Sequence, residues 1–258
     1  MAGYEWQAAG NSVIQSRIQK RGAVPAMKKD QRWDEAQETE VEFWAGMAQH
    51  DFSVLRVLAD NSEKAPLLRP YLKPNARNAL EVGSGPFGLG IIGYLPEIPF
   101  RIAMDPLRAT RMDTNDPLRN YIEMRRKSIS YVVGYGEEIP VQSGSSDLVI
   151  CCNVIDHASN PDLILDEIHR VLRPGGQFFF DVHTFSVLGL IKWHTWTKFR
   201  HRDEMLVKAH PYRMFESVIR RKISKHGFEA RKITGHTLLS ACIGQAVTST
   251  FVGEKHEI

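Results

Sequence analysis

The stretch Asn78-Ala79-Leu80-Glu81-Val82-Gly83-Ser84-Gly85-Pro86-Phe87-Gly88 reads as a strand that runs into a glycine-rich turn. Leu80 and Val82 suit a strand buried in a parallel sheet. Gly83 and Gly85 carry no Cβ, so the backbone there can turn tightly and approach a ligand. Ligands of open α/β sheets bind outside the carboxyl ends of the strands, so this turn is the expected place for a nucleotide-like cofactor. The spacing Gly83-x-Gly85-x-x-Gly88 also satisfies the dinucleotide fingerprint, which leaves a nicotinamide cofactor open at this point. Glu81, near the end of the strand, offers a carboxylate that suits an ammonium group better than a pyrophosphate.

Working outward, Phe100-Arg101-Ile102-Ala103-Met104-Asp105 reads as a second strand ending in an acid. Asp105 follows Gly83 by about 20 residues, the separation at which a carboxylate accepts hydrogen bonds from ribose hydroxyls. Helical signals follow over 117–126. Tyr131-Val132-Val133-Gly134 reads as a third strand, and residues 146–153 as a fourth, buried on both faces. Asn160-Pro161 is a helix start, with Asn160 as the N-cap and Pro161 at the first position. Ile164, Ile168, Val171 and Leu172 form the apolar face of that helix, Pro174-Gly175-Gly176 closes it, and residues 177–182 make a fifth strand. A helix over 215–226 and strands near 229–233 and 245–253 complete the pattern. Strands alternating with helices predict a parallel sheet with right-handed crossovers.

Upstream, Trp33, Ala36, Glu40, Trp44 and Met47 recur at helical spacing, and a second helix is expected over 52–58 with Asp51 as N-cap. Pro66, Pro70 and Pro74 are expected to punctuate the connection to the first strand. Residues 184–213 interrupt the alternation with an aromatic- and histidine-rich insertion (Trp193, Trp196, Phe199, His194, His201, His210, Tyr212). The expected division is an N-terminal arm and helical cap over 1–75 and a main domain over 76–258 with the cap insertion 184–213.

The 258 residues carry a formal net charge of +3, which gives no case for a nucleic-acid partner. The three cysteines show no zinc spacing and are expected to be buried reduced thiols, and no metal is expected. No run approaches the roughly 18 apolar residues that span a bilayer, so a cytoplasmic protein is expected.

Beyond the glycine turn, four segments stand in order: Gly136-Glu137-Glu138-Ile139-Pro140, Ser146-Asp147-Leu148-Val149, Asn153-Val154-Ile155-Asp156-His157 and Arg170-Val171-Leu172-Arg173-Pro174-Gly175-Gly176. Together with residues 78–88 they resemble the successive motifs of the class I S-adenosylmethionine-dependent methyltransferases that act on small molecules. The resemblance covers about residues 78–182. It implies a Rossmann-like α/β fold: a seven-stranded, mostly parallel sheet with an antiparallel last strand, helices on both faces and an N-terminal helical cap.

It also implies S-adenosylmethionine as methyl donor and S-adenosylhomocysteine as product. By motif position, Gly83, Ser84 and Gly85 approach the methionine part, with Glu81 near its ammonium. Asp105 holds the ribose, Gly136 and Glu137 frame the adenine, and Asn153 lies beside the methionyl end. Tyr135 departs from the pattern, because many relatives carry an aspartate there, and Glu137 is the candidate replacement acceptor. His157 is the candidate general base, with Asp156 a possible orienting group and His210 an alternative. His183 is a further candidate. The expected acceptor is a small or medium-sized organic molecule, methylated at oxygen or nitrogen. The helix carrying Trp33 and Trp44, together with the 184–213 insertion, is expected to roof its pocket. A catalytically silent cofactor-binding or protein-interaction homologue and an NAD-dependent oxidoreductase are the alternatives. The sequence leaves the oligomeric state open.

Overall fold

The computed structural model describes residues 31–107, 115–200 and 212–256. Helices α1 (Gln31–Met47) and α2 (Asp51–Leu68) precede a sheet of seven strands: β1 (Asn78–Val82), β2 (Phe100–Asp105), β3 (Ile129–Val133), β4 (Ser146–Cys152), β5 (Leu172–Thr184), β6 (Phe228–Thr234) and β7 (Val247–Lys255). Between them lie α3 (Asp116–Arg126), α4 (Pro161–Val171), α5 (Val187–Arg200), α6 (Glu216–Lys225) and α7 (Leu238–Cys242), with short 3-10 turns at Arg69–Tyr71 and Ile91–Tyr94.

The strand order is β3-β2-β1-β4-β5-β7-β6. Strands β1 to β5 pair in parallel, and β7 runs antiparallel to both neighbours, β5 and β6. The chain order reverses direction between β1 and β4. A crevice opens there at the carboxyl edge, because the connections leave the two strands on opposite sides.

Strand alternation divides the core into two layers. Leu80, Val82, Met104, Val149, Phe178 and Phe180 face α4 and α6, meeting Ile164, Ile168, Ile219 and Ile223. Ala79, Ala103, Leu148, Ile150 and Phe179 face the other way, toward Ala65 and Leu68 of α2 and toward Ile91 and Ile92. A fully buried aromatic or branched side chain of this kind contributes about 1.5–3 kcal/mol, so three consecutive buried phenylalanines, Phe178 to Phe180, pin β5 at the centre from both faces. The helix signal at Asn160-Pro161 is realised: the Asn160 side chain accepts from the Asp162 N–H.

A third apolar cluster fixes the cap. Ala48, Val54 and Leu58, from the α1–α2 elbow, pack with Phe87 and Leu89 of the glycine-turn segment and with Leu118 and Ile122 of α3. The N-terminal helices are thereby seated over the crevice.

Several local expectations are corrected. The second helix runs to Leu68 with Pro66 inside it, rather than stopping at 58. Burying Ala65 and Leu68 against the sheet outweighs the one backbone hydrogen bond that Pro66 forfeits. His50, not Asp51, precedes that helix, and the Asp51 carboxylate instead accepts from the backbone and side chain of Asn115, the N-cap of α3. Residues 172–176 belong to β5 rather than to a stop segment. Cys151 is buried, Cys152 half-buried and Cys242 exposed. Helix α7, with its Thr237–Ser240 capping box, was not among the expected elements. Among the described residues no helix is long and apolar enough to cross a membrane.

Candidate functional site

The crevice between β1 and β4 is lined by Gly83, Gly85, Asp105, Tyr135, Gly136, Glu137, Asn153 and His157, with Gln37, Glu40 and Trp44 of α1 across from them. Eight of the positions named from sequence (Glu81, Gly83, Ser84, Gly85, Asp105, Gly136, Glu137 and Asn153) therefore come together at or beside one cleft. His157 joins them. His210 lies outside the described residues.

The turn after β1 is built by its glycines. Gly83 and Gly85 both adopt φ of 74°, a left-handed conformation that side chains resist. A Cβ on Gly83 would stand 2.2 Å from Val154 Cγ2, so this position also needs a bare backbone for space. The N–H groups of Gly83 and Ser84 both donate to the Met104 carbonyl, at 2.8 and 3.0 Å, which locks the turn to the end of β2.

Asp105 completes that lock. Its Oδ2 accepts from the Gly85 N–H at 2.8 Å and its Oδ1 from the Leu107 N–H at 2.9 Å. The Tyr131 hydroxyl donates to the Leu107 carbonyl at 2.6 Å and steadies the same loop. Burial pushes the Asp105 carboxyl up to about 6, against the opposing pull of those two N–H donors. Asp105 lines the cleft, and each carboxylate oxygen keeps capacity to accept a further hydrogen bond.

Glu81 is placed differently from the expectation. Its two oxygens accept from the N–H groups of Ile91 and Ile92, each at 2.9 Å, at the start of the 3-10 turn. The carboxylate is thus spent on holding the chain after the glycine turn, not presented bare to an ammonium. Desolvation raises its pKa to about 7, with the two N–H donors and Lys64 acting in the opposite sense.

Glu137 is also committed. Its Oε1 accepts from the Ser159 N–H at 2.7 Å, the Ser159 hydroxyl at 2.8 Å and the Asn160 N–H at 3.3 Å. That oxygen organises the loop before α4, while Glu137 itself still lines the cleft beside Tyr135. Tyr135 itself lines the cleft, half of its surface exposed. Asn153 leaves β4 in a left-handed conformation, φ of 54°, which asparagine tolerates better than most residues. Its N–H donates to the Asp181 carbonyl at 3.0 Å.

His157 has a partner that the sequence did not suggest. Its Nδ1 lies 3.0 Å from Glu40 Oε1 on α1, whereas Asp156 Oδ1 is 3.9 Å from Nε2. Glu40 Oε2 accepts from the Trp44 indole N–H at 3.1 Å. The Asn153 side-chain amide is 3.5 Å from His157 Nε2. Glu40 and Trp44 share the helical stripe that the sequence shows, which is the signal that could have found the pair. The Trp44 ring packs edge-on against Phe87 at 5.6 Å and covers Gly85, whose added Cβ would lie 3.5 Å from it.

The described part of the insertion behaves differently from the N-terminal helices. No described residue of α5 lines either cavity at the carboxyl edge, and α5 packs on α7 instead. Tyr212 ties to the loop after β4: its N–H donates to the Asp156 carbonyl and its hydroxyl to the Ser159 carbonyl.

A second cavity adjoins the first and shares Trp44, Gly83, Gly85 and Asn153 with it. Its wall holds an ion pair, Lys64 Nζ to Asp181 Oδ2 at 2.7 Å, with Asp181 only 2% exposed. Burial alone would lower the Lys64 pKa, but Asp181, aided by Cys152 and Glu81, carries it above the ordinary value.

Residues 80–180 match the family model described as a methyltransferase domain. Human thiol S-methyltransferase TMT1A is 39% identical over 83 residues, 28% of this chain and 34% of that protein, so the chain spans about a third of that relative's length. The YcgJ protein of Bacillus subtilis superposes with a TM-score of 0.58 at 16% identity, over 76% of this chain and 99% of that one. Phosphoethanolamine N-methyltransferase 2 of Haemonchus contortus, in a complex with S-adenosylhomocysteine, superposes with a TM-score of 0.56 at 15% identity, over 77% of this chain and 53% of that one. With the ordered motifs on the sheet that these proteins share, residues 80–180 match a methyltransferase domain, and the described chain has the Rossmann-like fold of these structures.

Proposed function

We propose that this protein transfers a methyl group from S-adenosylmethionine to a small organic acceptor. The observation that carries the reading is the glycine turn locked to Asp105 at the sheet's switch point, where a Cβ on Gly83 would clash with Val154 and the bare backbone keeps the cleft open. The residues fit the cofactor. Gly83, Ser84 and Gly85 would hold its methionine part and Asp105 its ribose, while Gly136 and Tyr135 would frame its adenine and Asn153 would sit beside the methionyl end. When bound, S-adenosylmethionine supplies an electrophilic methyl group carried on a sulfonium.

The chain's own work is alignment and proton removal. His157 takes the proton of the acceptor's nucleophile at Nε2. The Glu40 carboxylate, 3.0 Å from Nδ1, favours a proton on that nitrogen and so the tautomer that leaves Nε2 with its lone pair. Trp44 and the α1–α2 elbow exclude water from the transfer. The human relative's name puts a thiol first among acceptors to test, ahead of the oxygen and nitrogen acceptors expected from sequence.

The experiment is an incubation of the full chain with radiolabelled S-adenosylmethionine and a panel of aryl thiols, phenols and amines, reading S-adenosylhomocysteine. Acceptor-dependent product that falls about 100-fold or more in His157→Gln supports the reading. Cofactor binding with no product from any class would favour the silent homologue. Nicotinamide binding in its place would favour the oxidoreductase.

A further inference from the structure

The second cavity contains a carboxylate oxygen that no hydrogen bond uses. Asp181 is 2% exposed, and its Oδ2 is paired with Lys64 at 2.7 Å. Its Oδ1 is buried and accepts nothing among the described residues. Buried acceptors are almost always satisfied, so this lone pair needs a donor. Asp181 lines a cavity whose apolar lining includes Phe43, Trp44, Met47 and Leu67. The cavity is continuous with the cofactor cleft through Gly83, Gly85 and Asn153.

We propose that the part of this cavity lined by Phe43, Met47, Leu67 and Asp181, beyond the glycine turn that would hold the methionine part, receives the methyl acceptor, and that Asp181 Oδ1 selects acceptors carrying an uncharged hydrogen-bond donor, a hydroxyl above all, on an apolar body. This rests on the methyltransferase reading. The Lys64 ammonium beside Asp181 argues against a cationic acceptor at Oδ1. Lys64 already neutralises Asp181, so a second ammonium on the same carboxylate would meet a like charge a few ångströms away. Glu81 spends both oxygens on Ile91 and Ile92, and Arg56, Asp60 and Glu63 on the same wall are exposed to solvent. A neutral hydroxyl satisfies Oδ1 without either penalty. Asp181 is a specificity residue here and takes no part in proton removal.

The test uses three matched probes, 4-(hydroxymethyl)benzenethiol, 4-ethylbenzenethiol and 4-(aminomethyl)benzenethiol. Each is titrated by calorimetry into the full chain with and without S-adenosylhomocysteine. The hydroxymethyl probe is expected to bind about tenfold or more tighter than the ethyl probe, as a hydrogen bond to a charged group implies, and tighter than the aminomethyl probe. The double variant Lys64→Met/Asp181→Leu replaces the ion pair with apolar side chains and should lose the preference, while its S-adenosylhomocysteine affinity stays within about twofold of wild type. Thermal unfolding checks that it folds. If it does not, Asp181→Asn serves: its amide oxygen faces Lys64 and its NH2 faces the cavity, so preference should pass to 4-acetylbenzenethiol. Equal or absent binding of the probes, as when a water fills the lone pair, would overturn the proposal. So would preference for the aminomethyl probe, or a preference that survives the variants. A hydroxymethyl preference without any S-adenosylhomocysteine binding would leave this site standing and remove the methyltransferase reading instead.

Discussion

Glu40 Oε1 and His157 Nδ1 lie 3.0 Å apart and join the cap helix α1 to the loop after β4 at the mouth of the cleft. The pair sets the geometry of the proposed base and ties the cap to the domain. Glu40→Gln should lower kcat about tenfold with little change in the KM for S-adenosylmethionine, and His157→Gln should lower it about 100-fold or more. Steady-state kinetics decide this. An unchanged kcat in His157→Gln would remove the histidine from the chemistry.

Gly83→Ala should destabilise the fold by about 2–4 kcal/mol. About 1–2 of this comes from the left-handed backbone and the rest from overpacking against Val154. In a Val154→Ala background the same change should cost less, because the clash at 2.2 Å is gone while the φ of 74° remains. A double-mutant cycle in chemical denaturation measures the coupling. Strict additivity would mean that the two side chains do not meet.

Asp105→Ala removes two accepted N–H bonds, from Gly85 and Leu107, as well as any contact to a bound ribose. S-adenosylhomocysteine affinity should fall about 10- to 150-fold. A change below about twofold in a folded variant would make Asp105 a loop brace only.

These predictions mix what the sequence reveals with what only packing reveals. The sheet was legible because β1, β2, β4 and β5 carry apolar runs at the right lengths, and because the glycine turn and Asp105 lie close to one another along the chain. The site's backbone-lined half followed from that order. Two carboxylates have partners that the sequence did not show, for a physical reason. Glu81 and Glu137 read as free acceptors, yet each is claimed by backbone N–H groups of Ile91 and Ile92 or of Ser159 and Asn160, which the fold alone brings near. Glu40 escaped notice because a polar residue in an apolar helical stripe reads as packing until its partner across the cleft is known. Pro66 misled the end of α2 because local propensity lost to burial of Ala65 and Leu68.

The Glu81 carboxyl has a folded-state pKa near 7, raised from 4.5 chiefly by burial. Between those values the folded chain holds more protons than the unfolded one, so stability falls as pH rises from about 4.5 to about 7 and is level above it. At about 1.36 kcal/mol per pKa unit the ceiling for this one group is about 3 kcal/mol. Asp105, raised from 3.8 to about 6, acts in the same direction over its own window. The stability difference between wild type and Glu81→Gln, measured by urea denaturation across this range, should therefore shift against wild type as pH rises. A difference that moves the other way would mean that burial does not dominate at Glu81.

Calorimetric titration of S-adenosylhomocysteine into the full chain and into Gly85→Leu shows whether the glycine turn binds the adenosyl cofactor. Wild type should show saturable binding at one site. Gly85→Leu, which forces a side chain between the turn and Trp44, should still fold cooperatively, with a thermal transition lowered by the left-handed backbone at this position, and lose that binding. No binding by wild type, or equal affinity in the folded variant, would contradict the account.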